Sequence, residues 1–268
     1  MTTENPTTKA KLLAKLLEIE EKKDVTVLFA CEAGSRSWGF ASPDSDHDLR
    51  FIYVHRLPWY MTITPGKDCM VIPSSTDSID IVGWDLRKAM GLMMASNPSL
   101  IEWFQSPTVY VTSQFHLRMR EMVDQLFSVT RCWWHCRSLA KKDFMKDFEV
   151  NTINQKSYLH IVRSLLMCRY LDKNQAIAPV VLKDLVEKTM DVQTESEMIG
   201  LITGLSVKKS STRGQLIGPR IPAIDRFIMR ELSFSPPAPV FTPKDNFKEQ
   251  ADELFFGTVK FYDKAYQP

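Results

Sequence analysis

Two aspartates one residue apart, Asp46 and Asp48, stand in the stretch Ala33-Gly-Ser-Arg-Ser-Trp-Gly-Phe-Ala-Ser-Pro-Asp-Ser-Asp-His-Asp-Leu-Arg-Phe-Ile-Tyr-Val54. Residues 46–54 end in Phe51, Ile52, Tyr53 and Val54 and read as a strand. Side chains alternate faces along a strand, so Asp46 and Asp48 point the same way, with Cα atoms roughly 6.5–7 Å apart. That spacing suits carboxylates sharing a pair of divalent ions. Two ions about 3.5–4 Å apart hold an attacking and a leaving oxygen in line during phosphoryl transfer, and oxygen-rich donors of this kind favour Mg²⁺. A third acid from a neighbouring strand would complete the site, and Asp80, between Ile79 and Ile81, is the candidate. Arg50 continues the alternation and shares the face of Asp46 and Asp48. It is read either as a phosphate contact or as an ion-pair partner for one of the acids. Arg36 borders the same stretch and is a second candidate phosphate contact.

Other readings of the acids fit less well. A calcium loop starting at Asp44 needs Gly at its sixth position and Glu at its twelfth, where Leu49 and His55 stand. Neither a Gly-Lys-Ser/Thr phosphate loop nor a Gly-x-Gly-x-x-Gly run is present.

Gly34-Ser35 followed by Asp46-His-Asp48, with the later strand acid Asp80, resembles the polymerase β nucleotidyltransferase superfamily. The longer strings from Gly34 to Tyr53 and Gly83-Trp-Asp-Leu-Arg-Lys-Ala89 resemble more narrowly its branch associated with RNA repair, the RlaP (YcgL-like) family. The resemblance implies an α+β fold, a small mixed-sheet nucleotidyltransferase domain and then an all-helical domain that closes the nucleotide and acceptor cleft, and the change to helical patterning near residue 113 divides them into residues 1–112 and 113–268. It implies that Gly34 and Ser35 hold the triphosphate and that Asp46, Asp48 and Asp80 ligate two Mg²⁺ or Mn²⁺ ions. It also implies transfer of a nucleoside monophosphate from a nucleoside triphosphate to an acceptor hydroxyl, an RNA 3′ end in repair or processing. Nucleotidylation of a protein or small molecule, and a non-catalytic RNA-binding module, are the alternatives.

The elements that must position these residues follow from patterning. Val25-Thr-Val-Leu-Phe-Ala-Cys31 is a buried strand that Gly34-Ser35 should end. Residues 9–21 form an amphipathic helix burying Leu12, Leu13, Leu16, Leu17 and Ile19 on the sheet. Residues 56–77 carry Pro58, Pro65, Pro73 and Gly66 and read as a loop, with 59–63 a candidate strand. Asp85 caps a helix over 86–95, and Asn97-Pro98 opens a short helix through Phe104 that carries Glu102, a candidate site residue. Residues 109–112 suit an edge strand.

Beyond residue 113 the pattern is helical: 114–127, 131–148 with Trp133, Trp134, Phe144 and Phe148, and 154–171. In the last of these, Lys156, His160 and Arg163 fall at i, i+4 and i+7 and share a face that suits a triphosphate or an RNA backbone. Lys156 and Arg163 are the nucleotide-binding candidates. Residues 175–205 read as a poorly marked helical region in which Pro179 opens one helix. Lys208-Lys-Ser-Ser-Thr-Arg213 reads as a flexible basic loop, 223–232 as a helix, 235–239 as a stiff proline connector, and 244–266 as a docked apolar-faced helix.

The net charge of +2 over 268 residues predicts no polyanion partner by itself. Its distribution is more informative: residues 131–173 hold nine Lys or Arg against four acids, and 207–230 hold six against Asp225. Five cysteines at irregular spacing suit reduced thiols, and Cys132-x-x-x-Cys136 beside His135 lacks the second ligand pair a zinc site needs. The absence of a bilayer-length apolar run suits a cytosolic or nuclear protein without a membrane partner.

Overall fold

The computed structural model describes residues 6–72, 78–146, 150–235 and 247–263. Five strands form a mixed sheet in the order β3-β4-β2-β1-β5: β1 (Val25–Glu32), β2 (His47–His55), β3 (Cys69–Ile72), β4 (Ile79–Asp85) and β5 (Val109–Val111). β2 and β4 run parallel, and the other neighbours are antiparallel. β5 is the edge strand its composition suggested.

Strand alternation separates two cores. On one face Leu49, Phe51 and Tyr53 of β2 and Ile79 and Ile81 of β4 pack under α1 (Pro6–Lys23) through Leu12, Leu16 and Ile19. Leu17, expected inside, is 65% exposed because its position lies off that stripe. The opposite face carries Ile52 and Val54 into a larger core that runs without interruption past residue 112, joining Phe29, Leu86 and Phe104 to Phe115, Met119, Leu166 and Val259. Asp48, Arg50 and Asp80 stand on this second face.

Between the strands lie α2 (Gly34–Trp38), α3 (Leu57–Tyr60), α4 (Leu86–Met94) and α5 (Pro98–Phe104). The caps read from sequence hold: Asp85 accepts from Arg87 N–H, and Asn97 from Ser99 and Leu100 N–H. Two local expectations give way. Residues 59–63 do not form a strand, since Pro58 instead starts the turn of α3. Within the region read as a loop, residues 69–72 add β3.

The later chain supplies α6 (Gln114–Leu126), α7 (Val129–Lys146), α8 (Lys156–Asn174), α9 (Leu182–Thr189), α10 (Ser196–Ser211), α11 (Pro222–Leu232) and α12 (Phe247–Tyr262). A short antiparallel ribbon of β6 (Thr152–Asn154) and β7 (Ile217–Pro219) joins them. Lys208 to Ser211 belong to α10, which corrects the expected basic loop; Ile202, Leu205 and Lys209 form a buried helical stripe that its polar neighbours hide in the sequence. Phe148 and the proline connector from Pro236 on lie outside the described residues. All five cysteines are free thiols. No helix among the described residues is long and apolar enough to cross a membrane.

Candidate active site

Asp48 and Asp80 are direct partners across the parallel β2–β4 ladder. Asp46, expected in the strand, lies one residue before it and is exposed. Its carboxylate takes no hydrogen bond or ion pair among the described residues, and Arg36 secures its backbone by donating to the carbonyls of Ser45 at 2.7 Å and Asp46 at 3.2 Å. That guanidinium is committed to the loop, which explains why Arg36 is not among the residues lining the cavity described below, contrary to its expected nucleotide contact.

Arg50 bridges the two facing acids. Its Nη2 donates to Asp48 Oδ1 and to Asp80 Oδ2, each at 2.7 Å. Burial raises the carboxyl pKa of Asp48; the Arg50 charge opposes that shift, and Glu32, Asp80 and Asp46 add to it. Among the described residues, no three His, Cys, Asp or Glu side chains gather into a metal-holding group. The three acids are therefore neighbours rather than a closed cage.

Gly34 explains the glycine of the motif. Its φ is +60°, and a Cβ there would lie 1.9 Å from Asp48 Oδ2. Ala33 N–H donates to the Asp48 carbonyl at 2.9 Å, so the end of β1 and the start of α2 are tied directly to the acid. Behind it sits Glu32, 3% exposed, which was not singled out from the sequence. Its Oε1 accepts the Asp48 N–H at 2.8 Å, while Oε2 accepts the Tyr110 hydroxyl at 2.6 Å and contacts His47 Nδ1 at 2.9 Å. The signal for it was an acid closing an apolar strand, which burial obliges to find partners.

These residues open onto a polar cavity of about 630 Å³ lined by Gly34, Ser35, Asp46, Asp48, Arg50, Asp80, Glu102, Lys156, His160 and Lys209, among others. Its size suits a nucleotide. A hollow of about 790 Å³ between α1 and the β3–β4 edge has Glu18 as its one acid and none of these residues.

The helical half contributes charge of the other sign. Lys156, at the start of α8, lines the cavity as the i, i+4 spacing predicted, and so does His160. Burial, helped by Lys156, Arg163 and Lys209, lowers the His160 pKa to about 4, so its ring is neutral at physiological pH. Arg163 departs from the expected stripe. It is 3% exposed and absent from the lining, with Nη1 donating to Glu102 Oε1 at 2.8 Å, Nε donating to the Val180 carbonyl at 2.9 Å, and its charge over the Trp38 ring. Trp38 Nε1 donates to the other Glu102 oxygen at 3.2 Å. Glu102 therefore receives donors from two elements, and Arg163 braces the cavity wall rather than facing a ligand.

The cation that the sequence concealed is Lys209. It is 3% exposed, and its Nζ donates to Ser42 Oγ and, at 3.4 Å, to Ser45 Oγ. Neither partner is a carboxylate. Burial and the neighbouring Lys156 lower its pKa, while Asp44 acts in the opposite direction. A buried ammonium balanced only by hydroxyls favours an arriving anion.

A glycine-hinged turn, strand acids paired in register and facing lysines thus line one polar cavity. A family model described as "RlaP: RNA repair pathway DNA polymerase beta family" matches residues 8–256, and the chain belongs to that family. It is 31% identical over 228 residues to a Bacillus subtilis (strain 168) protein described as "Uncharacterized protein YcgL", covering 84% of this chain and 85% of that one. Among solved structures, a nucleotidyltransferase-like protein from Exiguobacterium sibiricum 255-15 aligns over 95% of this chain and 81% of its own, at 9% identity and a TM-score of 0.33, too slight a likeness to carry an argument. The chain is a nucleotidyltransferase, and enzymes of this type usually use divalent metals.

Proposed function

We propose that the protein transfers a nucleoside monophosphate from a nucleoside triphosphate to an acceptor hydroxyl, with release of pyrophosphate, and that the acceptor is an RNA 3′ end. The observation that carries the transfer is the cavity itself, where Asp46, Asp48 and Asp80 meet Lys156 and Lys209. The RNA acceptor rests on the family's description.

In this reading residues 1–112 carry the chemistry, and 113–268 close the cleft and supply the lysines. Gly34 and Ser35, with Lys156, Lys209, Ser42 and Ser45, hold the triphosphate. Asp46 and Asp48 fit Mg²⁺ or Mn²⁺ because Asp46 is exposed and unengaged, Asp48 borders the cavity, and both offer only oxygen. Such an ion neutralises phosphate charge and raises the reactivity of the α-phosphorus. His160, kept neutral, accepts or donates a hydrogen bond without adding charge.

The test is incubation with Mg²⁺, each labelled nucleoside triphosphate in turn and a pool of short RNAs, beside an Asp46→Ala/Asp48→Ala control. Label in RNA that needs the intact acids supports the reading. Label on protein or a small molecule replaces the acceptor, and tight RNA binding without any transfer replaces the chemistry with a binding role.

A further inference from the structure

β3 closes one side of the five-stranded sheet, and no strand among the described residues lies beyond it. Asp85 N–H donates to the Asp68 carbonyl at 2.9 Å, which sets the phase of the β3–β4 ladder. In the register that runs from Cys69↔Trp84 to Ile72↔Ile81, Met70 and Ile72 therefore turn their backbone groups toward β4, and Cys69 and Val71 turn theirs outward. Edge strands are ordinarily guarded by a charge, a proline or a bulge. β3 has neither charge nor proline, its register is unbroken, and Val71 is 66% exposed.

Beside this edge lies the hollow of about 790 Å³ next to α1. Its floor is apolar, with Ile19, Ile72 and Ile81, and its rim sets Lys15, Lys22, Lys23 and Lys67 against Glu18 alone. Glu18 is shared between Lys22 at 2.6 Å and Lys15 at 3.9 Å, while Lys23 and Lys67 are exposed and make no ion pair among the described residues. Such a rim attracts an anion and opposes a second copy of this chain, whose own lysines would meet it. A single-stranded nucleic acid needs an open aromatic face on which to stack. Trp59, which lines the hollow, is already occupied: His55 stacks on it with 4.0 Å between ring centroids, and Gly66 lies so close that a Cβ there would come within 2.5 Å of the ring.

We propose that this edge docks an acidic peptide segment, which adds to β3 as an extra strand. Its backbone pairs with the outward N–H and C=O groups of Cys69 and Val71. Met70 and Ile72 pack on the α1 side of the sheet, so alternate residues of the added strand face the lysines there and suit Asp or Glu. The residues between them lie beside Val71 and suit aliphatic side chains. The hollow shares no lining residue with the cavity around Asp48 and Lys209, so the proposal stands apart from the transfer reading.

Fluorescence anisotropy of the full chain with a labelled peptide of alternating Glu and Val tests it. The wild type should bind this peptide saturably, about tenfold or more tighter than a matching peptide of Lys and Val. Val71→Pro removes an outward donor and leaves the β4 side of the ladder intact. It should weaken binding by about tenfold or more, whereas Val71→Thr, which keeps the N–H, should bind within about twofold of the wild type. Lys23→Glu/Lys67→Glu should also weaken binding by about tenfold, and it carries the test if the proline variant does not fold. No saturable binding, equal affinity for the two peptides, or affinity unmoved by these changes overturns the proposal. Tighter binding of a short single-stranded RNA at the same lysines, or a dimer that Val71→Pro dissolves, puts another occupant on the edge and overturns it as well.

Discussion

The backbone N–H of Asp48 donates to Glu32 Oε1 at 2.8 Å, so a buried carboxylate outside the motif holds the motif's central acid in place. Glu32→Ala would leave that amide unsatisfied in the interior, at a cost of about 1–3 kcal/mol. Urea denaturation should show a lower midpoint for Glu32→Ala and a smaller drop for Glu32→Gln, which keeps one oxygen acceptor.

Asp48→Asn and Asp80→Asn remove charge from the paired positions without changing shape. Each should lower the rate of pyrophosphate release by about 10²-fold or more. A near-normal rate in either variant would remove that residue from the chemistry.

Lys209→Met removes a buried ammonium that has only hydroxyl partners. Its loss should weaken pyrophosphate binding by about tenfold, equivalent to about 1.4 kcal/mol, as read by calorimetric titration. Thermal stability should stay level or rise, because no carboxylate is left without its counter-ion. A sharp loss of stability with unchanged pyrophosphate affinity would make Lys209 a structural clasp on the Ser42–Ser45 turn.

Gly34→Ala puts a methyl group on the Asp48 carboxylate and forces an L side chain into φ +60°. The strain costs about 1–3 kcal/mol. Nucleotide and metal affinity should fall with it, whereas Gly91→Ala, where a Cβ meets nothing within 4 Å, should change neither.

Burial lowers the pKa of His116 to about 4 from the ordinary imidazole value of 6.5. The unfolded chain therefore binds more protons between those values, and stability rises with pH across that window. The contribution is fully present above about pH 6.5 and is lost as pH falls toward 4. His116→Phe should flatten part of the slope in melting temperature between pH 7 and 5.

The sequence made the motif legible because turn chemistry and strand alternation are local. Gly34, Asp48 and Asp80 needed only their neighbours to be read, and so did the caps at Asp85 and Asn97. Helical spacing sufficed for Lys156 and His160. It failed for Arg163, whose side chain is claimed by Glu102 on a distant helix, and for Lys209, whose surroundings Lys208, Ser210, Ser211 and Thr212 look like a solvated loop until Ile202 and Leu205 are seen to lie beneath it. Glu32 was silent because its partners Tyr110, His47 and Asp48 are assembled only by the sheet. Arg50 was left between two roles because strand parity gives its face and not its partner.

The end of α12 is clasped to the connection after β2: Arg56 Nη1 donates to the Tyr262 carbonyl at 2.6 Å, and Leu57 N–H to Asp263 Oδ2 at 2.7 Å, across 206 residues of chain. During synthesis the strand bearing Asp48 leaves the ribosome long before the helix that secures its far end. A nascent chain lacking residues 247–263 would expose the apolar ground around Tyr60, whose ring meets Phe255 edge-on. Contacts of such long sequence separation slow folding, so maturation of this enzyme should be gated by the arrival of α12.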